Sequence, residues 1–235
     1  MVRLPVVHVS VSTSQATALF SRDFAPIAAP IFGGRLAQAV LDLEPDDQSY
    51  LSGRHRQALR TNMKHARKMG IEASSVGSYD EWSTATREVL RSRPGGPEMI
   101  TRLRTPPATQ DMGYFVAVDH SGRPVAISAA AIFTECAVLV WSLSAPDHPA
   151  ASSSRYLLHT LMRSSLRRRG VRHLIAGTGV RDAPGLHYFQ HLLGYEVRNL
   201  RIRVEGAQQL HPVPTARVRS LPPSDDHGGA GSAHP

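Results

Sequence analysis

A mixed α/β domain, a central β-sheet flanked by helices, is what the order of periodicities along this chain predicts. Three observations carry that prediction. Apolar residues recur at helical spacing through residues 52–70 and again from Asp80. The period then shortens to two across residues 114–143. Beyond it come a helix, a strand, a second helix and more strand-forming sequence, the order of a βαβ crossover.

Residues 35–43 form a short strand or helix. In 52–70, Ala58, Leu59, Met63, Ala66 and Met69 share a face and Gly70 supplies a stop. The helix opened by Asp80 has Trp82, Ala85, Val89 and Leu90 as its apolar side and ends at Pro94-Gly95-Gly96. Residues 97–112 read as a loop or a broken short helix. Strands 114–119 and 124–133 flank His120-Ser121-Gly122-Arg123, which is hairpin chemistry, and 137–143 is a third strand. Helix 152–169 carries a stripe of Leu157, Leu158, Leu161, Met162 and Leu166, with Arg163, Arg167, Arg168 and Arg169 towards its C-terminal end, where the helix dipole favours cations. After Gly170 come strand 172–176, a loop with Gly177, Gly179 and Pro184, helix 185–193 and strands over 195–204.

The domain spans residues 36–205. Residues 1–35 are a partly irregular N-terminal segment without a sustained period, and 206–235 is a Pro/Gly/Ser-rich tail with too little apolar content to fold. Of the 235 residues, 27 are Lys or Arg and 19 Asp or Glu, a formal charge of +8 that implies anionic partners. The single cysteine, Cys136, excludes an internal disulfide and a Cys-built zinc site, and reads as a small core residue. No run approaches the roughly 18 apolar residues of a membrane helix. The N-terminus makes a poor signal peptide, so a cytoplasmic location is expected. His8, His55 and His65 lack a third ligand at metal spacing, and no metal is expected.

The passage from strand to helix across LSAPDHPAASSSRYLLHTLM presents free backbone N–H groups to an anion. Ser152, Ser153 and Ser154 are placed to cap the helix, which any such turn requires, and their small size also admits a phosphate to the backbone. On the first basic helix Arg54, Arg56, Arg60, Lys64, Arg67 and Lys68 have no acidic neighbour among them. Arg56, Arg60, Lys64 and Lys68 follow at spacings of four, a face that is either merely solvated or holds the 3′-phosphate of a coenzyme A, a tRNA acceptor stem, another polyanion or an anionic lipid headgroup. No aromatic residue on that helix is available to stack on bases. The acid–base candidates are Glu135 at a strand turn, Asp147 and His148 in the loop, and Asp182, His187 and Tyr188 around the last helix.

Strand, small-residue loop, helix ending at Gly170, strand, then GLHYFQHLLGYEV resembles the Gcn5-related N-acetyltransferase (GNAT) superfamily. The family's phosphate-loop pattern, laid on this chain, places Pro149 at its Arg/Gln position, Ala150 and Ser152 at its glycines and Ser154 at the next small position. Gln190 stands where the family carries a Tyr that protonates the thiolate. The Gly185-Leu186 and Phe189-Gln190 pairs, with the Arg-rich upstream helix, resemble the Fem-like branch, which includes aminoacyl transferases of the peptidoglycan bridge. The resemblance implies an N-acyltransferase that moves an acetyl or other acyl group from acyl-CoA to a primary amine. It implies a pyrophosphate on Ala150, Ala151, Ser152, Ser153, Ser154 and Arg155, and a thioester carbonyl polarised by N–H groups of Leu143, Ser144 and Ala145. Glu135, His187 and Tyr188 are the proton-transfer candidates, the last two nearest the expected thiolate. Two other functions fit the residues: an aminoacyl-tRNA-dependent transferase, and a non-catalytic basic module of the same fold.

Overall fold

The computed structural model describes residues 4–12, 38–44, 46–101, 103, 105, 110–178 and 184–205. Its eight strands are β1 (Val6–Ser12), β2 (Gln38–Asp42), β3 (Glu72–Val76), β4 (Met112–Val118), β5 (Pro124–Phe133), β6 (Cys136–Ser144), β7 (His173–Thr178) and β8 (Glu196–Glu205). Its helices are α1 (Asp47–Leu51), α2 (Gln57–Lys68), α3 (Tyr79–Arg91), α4 (Gly96–Thr101), α5 (Ala151–Arg168) and α6 (Pro184–Leu193). The strands form one mixed sheet in the order β1-β8-β2-β7-β6-β5-β4-β3. The sheet is antiparallel from β3 to β6, and β6 and β7 pair in parallel, bridged by α5.

The expected meander and crossover are therefore present, with differences that have physical causes. Segment 35–43 is a strand from Gln38, its alternatives decided by pairing with β7 and β8 on its two sides. Strand β3, absent from the sequence reading, has only exposed or half-buried residues because it lies at the sheet edge. Without an apolar face it carries no alternation to read. Within the N-terminal segment, β1 pairs in parallel with β8, from Val6 opposite Asn199 to Ser12 opposite Glu205. The expected pair of strands over 195–204 is one strand, β8. The tail beyond residue 205 lies outside the described residues.

All ten residues of β5 are buried, because helices cover both faces of the sheet. On one side α2 and α5 pack Leu59, Met63, Leu158, Met162 and Leu166 against Ala126, Ala130 and Leu174. On the other side α3 packs Trp82, Ala85 and Val89 against Val116, Ile127 and Ala129. Alanines along β5 bring both layers close to the strand. Thr160 Oγ1 donates to Met63 Sδ at 3.4 Å, and His65 Nδ1 lies 3.3 Å from Ser153 Oγ, so α2 runs beside α5 with its C-terminal end near the start of α5. Arg163, expected as a cation near the helix C-terminus, is fully buried. Its Nη1 donates to Asp47 Oδ1 at 2.7 Å and its guanidinium lies 4.0 Å from the Tyr50 ring centroid, because α1 folds over this side of α5.

Candidate acyl-transfer site

The site arises where β6 and β7 part. They pair only through Cys136–Val138 and His173–Ile175, although β6 runs on to Ser144 and β7 to Thr178. The register with β5 shifts at the same place: Ala130 faces Leu139 and Ala129 faces Trp141, leaving Val140 unpaired. A bulge of this kind bends its strand. A cleft of about 210 Å³ fills the gap. Leu139, Val140 and Ser142 line it from β6, Arg155 and His159 from α5, Ala176 from β7, Leu186, Phe189 and Gln190 from α6, with Tyr195 behind.

Backbone donors face this gap. Ala145 N–H donates to Val125 O at 2.8 Å. The alternation of an antiparallel ladder then turns the Leu143 N–H towards β5 as well, and leaves those of Ser142 and Ser144 on the side that β7 has vacated. Of the expected donors Leu143, Ser144 and Ala145, the Ala145 N–H is engaged by β5 and that of Leu143 faces the same ladder, while Ser144, with Ser142, faces the other side.

At the start of α5 no side chain caps the helix, and the N-cap is Ala150 rather than a serine. Ser153 Oγ and Ser154 Oγ instead donate back to the carbonyls of Ala150 and Ala151. Ala150 N–H donates to His148 Nδ1 at 3.1 Å and Ala151 N–H to His148 O at 3.0 Å. Ser154 N–H is the first to enter the helical ladder, on Ala150 O at 2.8 Å. Among the described residues the N–H groups of Ser152 and Ser153 remain open, in a first turn that holds no acid. Of residues 150–155, expected to receive an anion, Ser152 and Ser153 offer open amides, while the Arg155 side chain lines the cleft instead.

The acid–base candidates are dispersed. Glu135 lies at the opposite end of β6 from the cleft, where its carbonyl accepts from Arg172 N–H at 2.7 Å and its carboxylate is 3.9 Å from Arg172 Nη1. Asp147 pairs with Arg123, which holds its carboxyl below the usual range, and His148 stands 3.6 Å from Asp119, so both pin the loop. Asp182 lies outside the described residues. Tyr188 is 64% exposed on α6, and His187 is half-buried beside Leu186, which lines the cleft. Gln190 Nε2 donates to Ala176 O at 3.3 Å and bridges α6 to β7 across the cleft wall.

Two residues that sequence reasoning passed over are central to the cleft. His159, only 1% exposed, has Nε2 2.9 Å from Tyr195 Oη, while its Nδ1 has no hydrogen-bond partner. Burial first, and then the charges of Arg155 and Arg163, hold the imidazole down to a pKa of about 3, so it is neutral. Burial likewise pushes the Tyr195 phenol well above its usual value. The i, i+4 spacing of Arg155 and His159 was the available signal.

No family model and no curated protein matches the chain. Solved structures do. L-PGS from Bacillus licheniformis superposes with a TM-score of 0.50 at 14% identity over 74% of this chain. The C-terminal domain (DUF2156) of a candidate lysylphosphatidylglycerol synthetase from Agrobacterium fabrum gives 0.52 at 14% over 75%. FemX gives 0.53 at 11% over 76%. The protein has a GNAT-like fold. It spans 62%, 63% and 61% of those three chains, respectively. In this frame β6 and β7 stop pairing after Val138 and Ile175, and α5 follows directly from the far end of β6. Among the described residues no group of three His, Cys, Asp or Glu side chains is placed to hold a metal ion, and no helix is long and apolar enough to cross a membrane.

Proposed function

We propose that this protein transfers an acyl group from an acyl-CoA to a primary amine, with the thioester carbonyl seated against β6 where β7 parts from it. The observation that carries the reading is the gap itself. It leaves the Ser142 and Ser144 N–H groups on the side without a β7 partner, Ser142 lining a cleft with apolar walls, with the open amides of Ser152 and Ser153 on the following helix for a phosphate. The neutral amine attacks the carbonyl carbon and forms the C–N bond. Charge moves to the carbonyl oxygen, which the β6 amides stabilise. Collapse breaks the C–S bond, and the proton shed by the amine ends on the departing sulfur. His187 is the proton carrier retained in this reading; Glu135 and Tyr188 are too far or too exposed for it.

A second donor, an aminoacyl-tRNA, is favoured by one observation: His148 engages the amides of Ala150 and Ala151, so the loop offers two open N–H groups rather than a full cradle. Thermal unfolding with acetyl-CoA and with CoA separates the readings. Ligand at about 100 times Kd should add about 2.7 kcal/mol, a rise of about 5–10 °C. Ser152→Asp, at an exposed position, should remove that rise. No rise in the wild type, with tRNA binding that weakens as salt increases, supports the second donor.

A further inference from the structure

Arg155 is a cation without a counter-ion. Its guanidinium lies 4.1 Å from the Phe189 ring centroid, its Nε is buried with no hydrogen-bond partner, and among the described residues no carboxylate pairs with it. Desolvation, reinforced by the like charge of Arg93, holds its pKa below the usual arginine value. Arg93 does not line the cleft, and its Nη1 is anchored on Ser144 O at 2.7 Å. One turn along α5, His159 lines the same cleft, and its buried Nδ1 has no hydrogen-bond partner. The 2.9 Å contact with Tyr195 Oη occupies Nε2; with the Tyr195 hydroxyl as its donor, the imidazole proton sits on Nδ1, which is then a neutral donor. A half-buried guanidinium and a neutral N–H donor, set among Leu139, Leu186 and Phe189, complement a single negative charge. A planar carboxylate carries one charge and matches the guanidinium fork, whereas a phosphate dianion would bring a second charge that a single guanidinium leaves uncompensated.

We propose that the cleft recognises a carboxylate on the substrate, held by Arg155 with His159 Nδ1 as the second donor, so that the protein acts on a carboxylate-bearing amine or carries a carboxylate-bearing acyl group. The proposal rests on the acyl-transfer reading of the same site and narrows its substrate class.

The test compares matched ligands on the full chain by thermal unfolding and calorimetry. Free L-amino acids are set against their α-amides, and succinyl-CoA against acetyl-CoA. The expected result is that either the acids or succinyl-CoA bind at least tenfold tighter than their partners. Arg155→Gln should erase that preference and Arg155→Lys should keep part of it. Preference for amino acids identifies the acceptor as the source of the carboxylate; preference for succinyl-CoA identifies the donor. Equal binding of acid and amide together with equal binding of the two thioesters overturns the proposal, as does failure of every carboxylate ligand to bind, or an intact preference in Arg155→Gln. The acid-against-amide comparison uses wild-type protein, so it stands even if the variants fold poorly. Binding of acetyl-CoA without any carboxylate preference defeats this inference alone. Binding of amino acids without any CoA response defeats the acyl-CoA donor and leaves the inference standing.

Discussion

Gly194 closes α6 with φ +86°, and a side chain there would overlap the guanidinium of Arg56, which packs against it and donates to Leu192 O at 3.1 Å. Gly122, in the β4–β5 hairpin, has nearly the same φ, +82°, with open space around it. Gly122→Ala should therefore cost only the left-handed backbone strain, about 1–2 kcal/mol. Gly194→Ala should lose on the order of 1 kcal/mol more, because Arg56 must leave its carbonyl. Urea midpoints of the two variants check this, and equal losses would contradict it. His159 makes a second prediction at this scale. Its pKa is about 3 when folded, against 6.5 in the free side chain, so below pH 6.5 the unfolded chain takes up a proton that the folded one refuses. Stability at this residue is complete above pH 6.5 and falls as pH drops towards 3, by at most about 1.4 kcal/mol per unit. His159→Gln, able to keep a bond to Tyr195, should show a smaller drop in melting temperature between pH 7 and pH 5 than the wild type. An unchanged drop would remove His159 as the cause.

Among the elements, α5 invites a prediction with two opposite signs. It has no acid in its first turn and no capping side chain, so Ser152→Asp should stabilise the free protein by about 0.3–1 kcal/mol through the helix dipole while it weakens anion binding at the same amides. A variant that melts higher alone and responds less to CoA separates a binding role for this turn from a folding role. The same helix shows how far the sequence could be read. Its apolar stripe of Leu157, Leu158, Met162 and Leu166 made the element plain, since burial of those residues and their spacing share one cause. The hairpin around Gly122 and the stop at Gly170 were plain for the same local reason, a positive φ that glycine tolerates. The bulge at Val140 was not legible, because a β-branched residue in an apolar run carries no local mark of losing its partner. Nor was the cleft's pairing of His159 with Tyr195, which depends on α5 meeting the turn into β8 across the fold. Edge strand β3 was hidden by its polarity.

Across the whole molecule, the charge of +8 is less available than its total suggests. Arg56 is held on Leu192 O, and Arg60 on the carbonyls of Leu51 and Gly53. Arg54, Lys64, Arg67 and Lys68 are exposed without such an anchor among the described residues, and the last three lie at the α2 end nearest the start of α5. If a polyanion docks there, Lys64→Ala with Lys68→Ala should lower the slope of log affinity against log salt by on the order of one unit per lysine. Arg60→Ala should lower stability instead and leave that slope alone. Titrations of tRNA at several salt concentrations distinguish the two.

Strand β8 is hydrogen-bonded to β2 through Glu196–Arg198 and to β1 through Asn199–Glu205. Synthesis runs from the N-terminus, so β1 and β2 leave the ribosome long before the strand that joins them. Until then β1 has no neighbour and β2 has one free edge. The last described strand is thus a keystone: it enters between two earlier pieces and completes the sheet in one late, long-range step. Refolding should be governed by that step, because closing so long a loop precedes any gain from the contacts it makes. A chain cut before Glu196 should keep the meander and leave β1 unmatched.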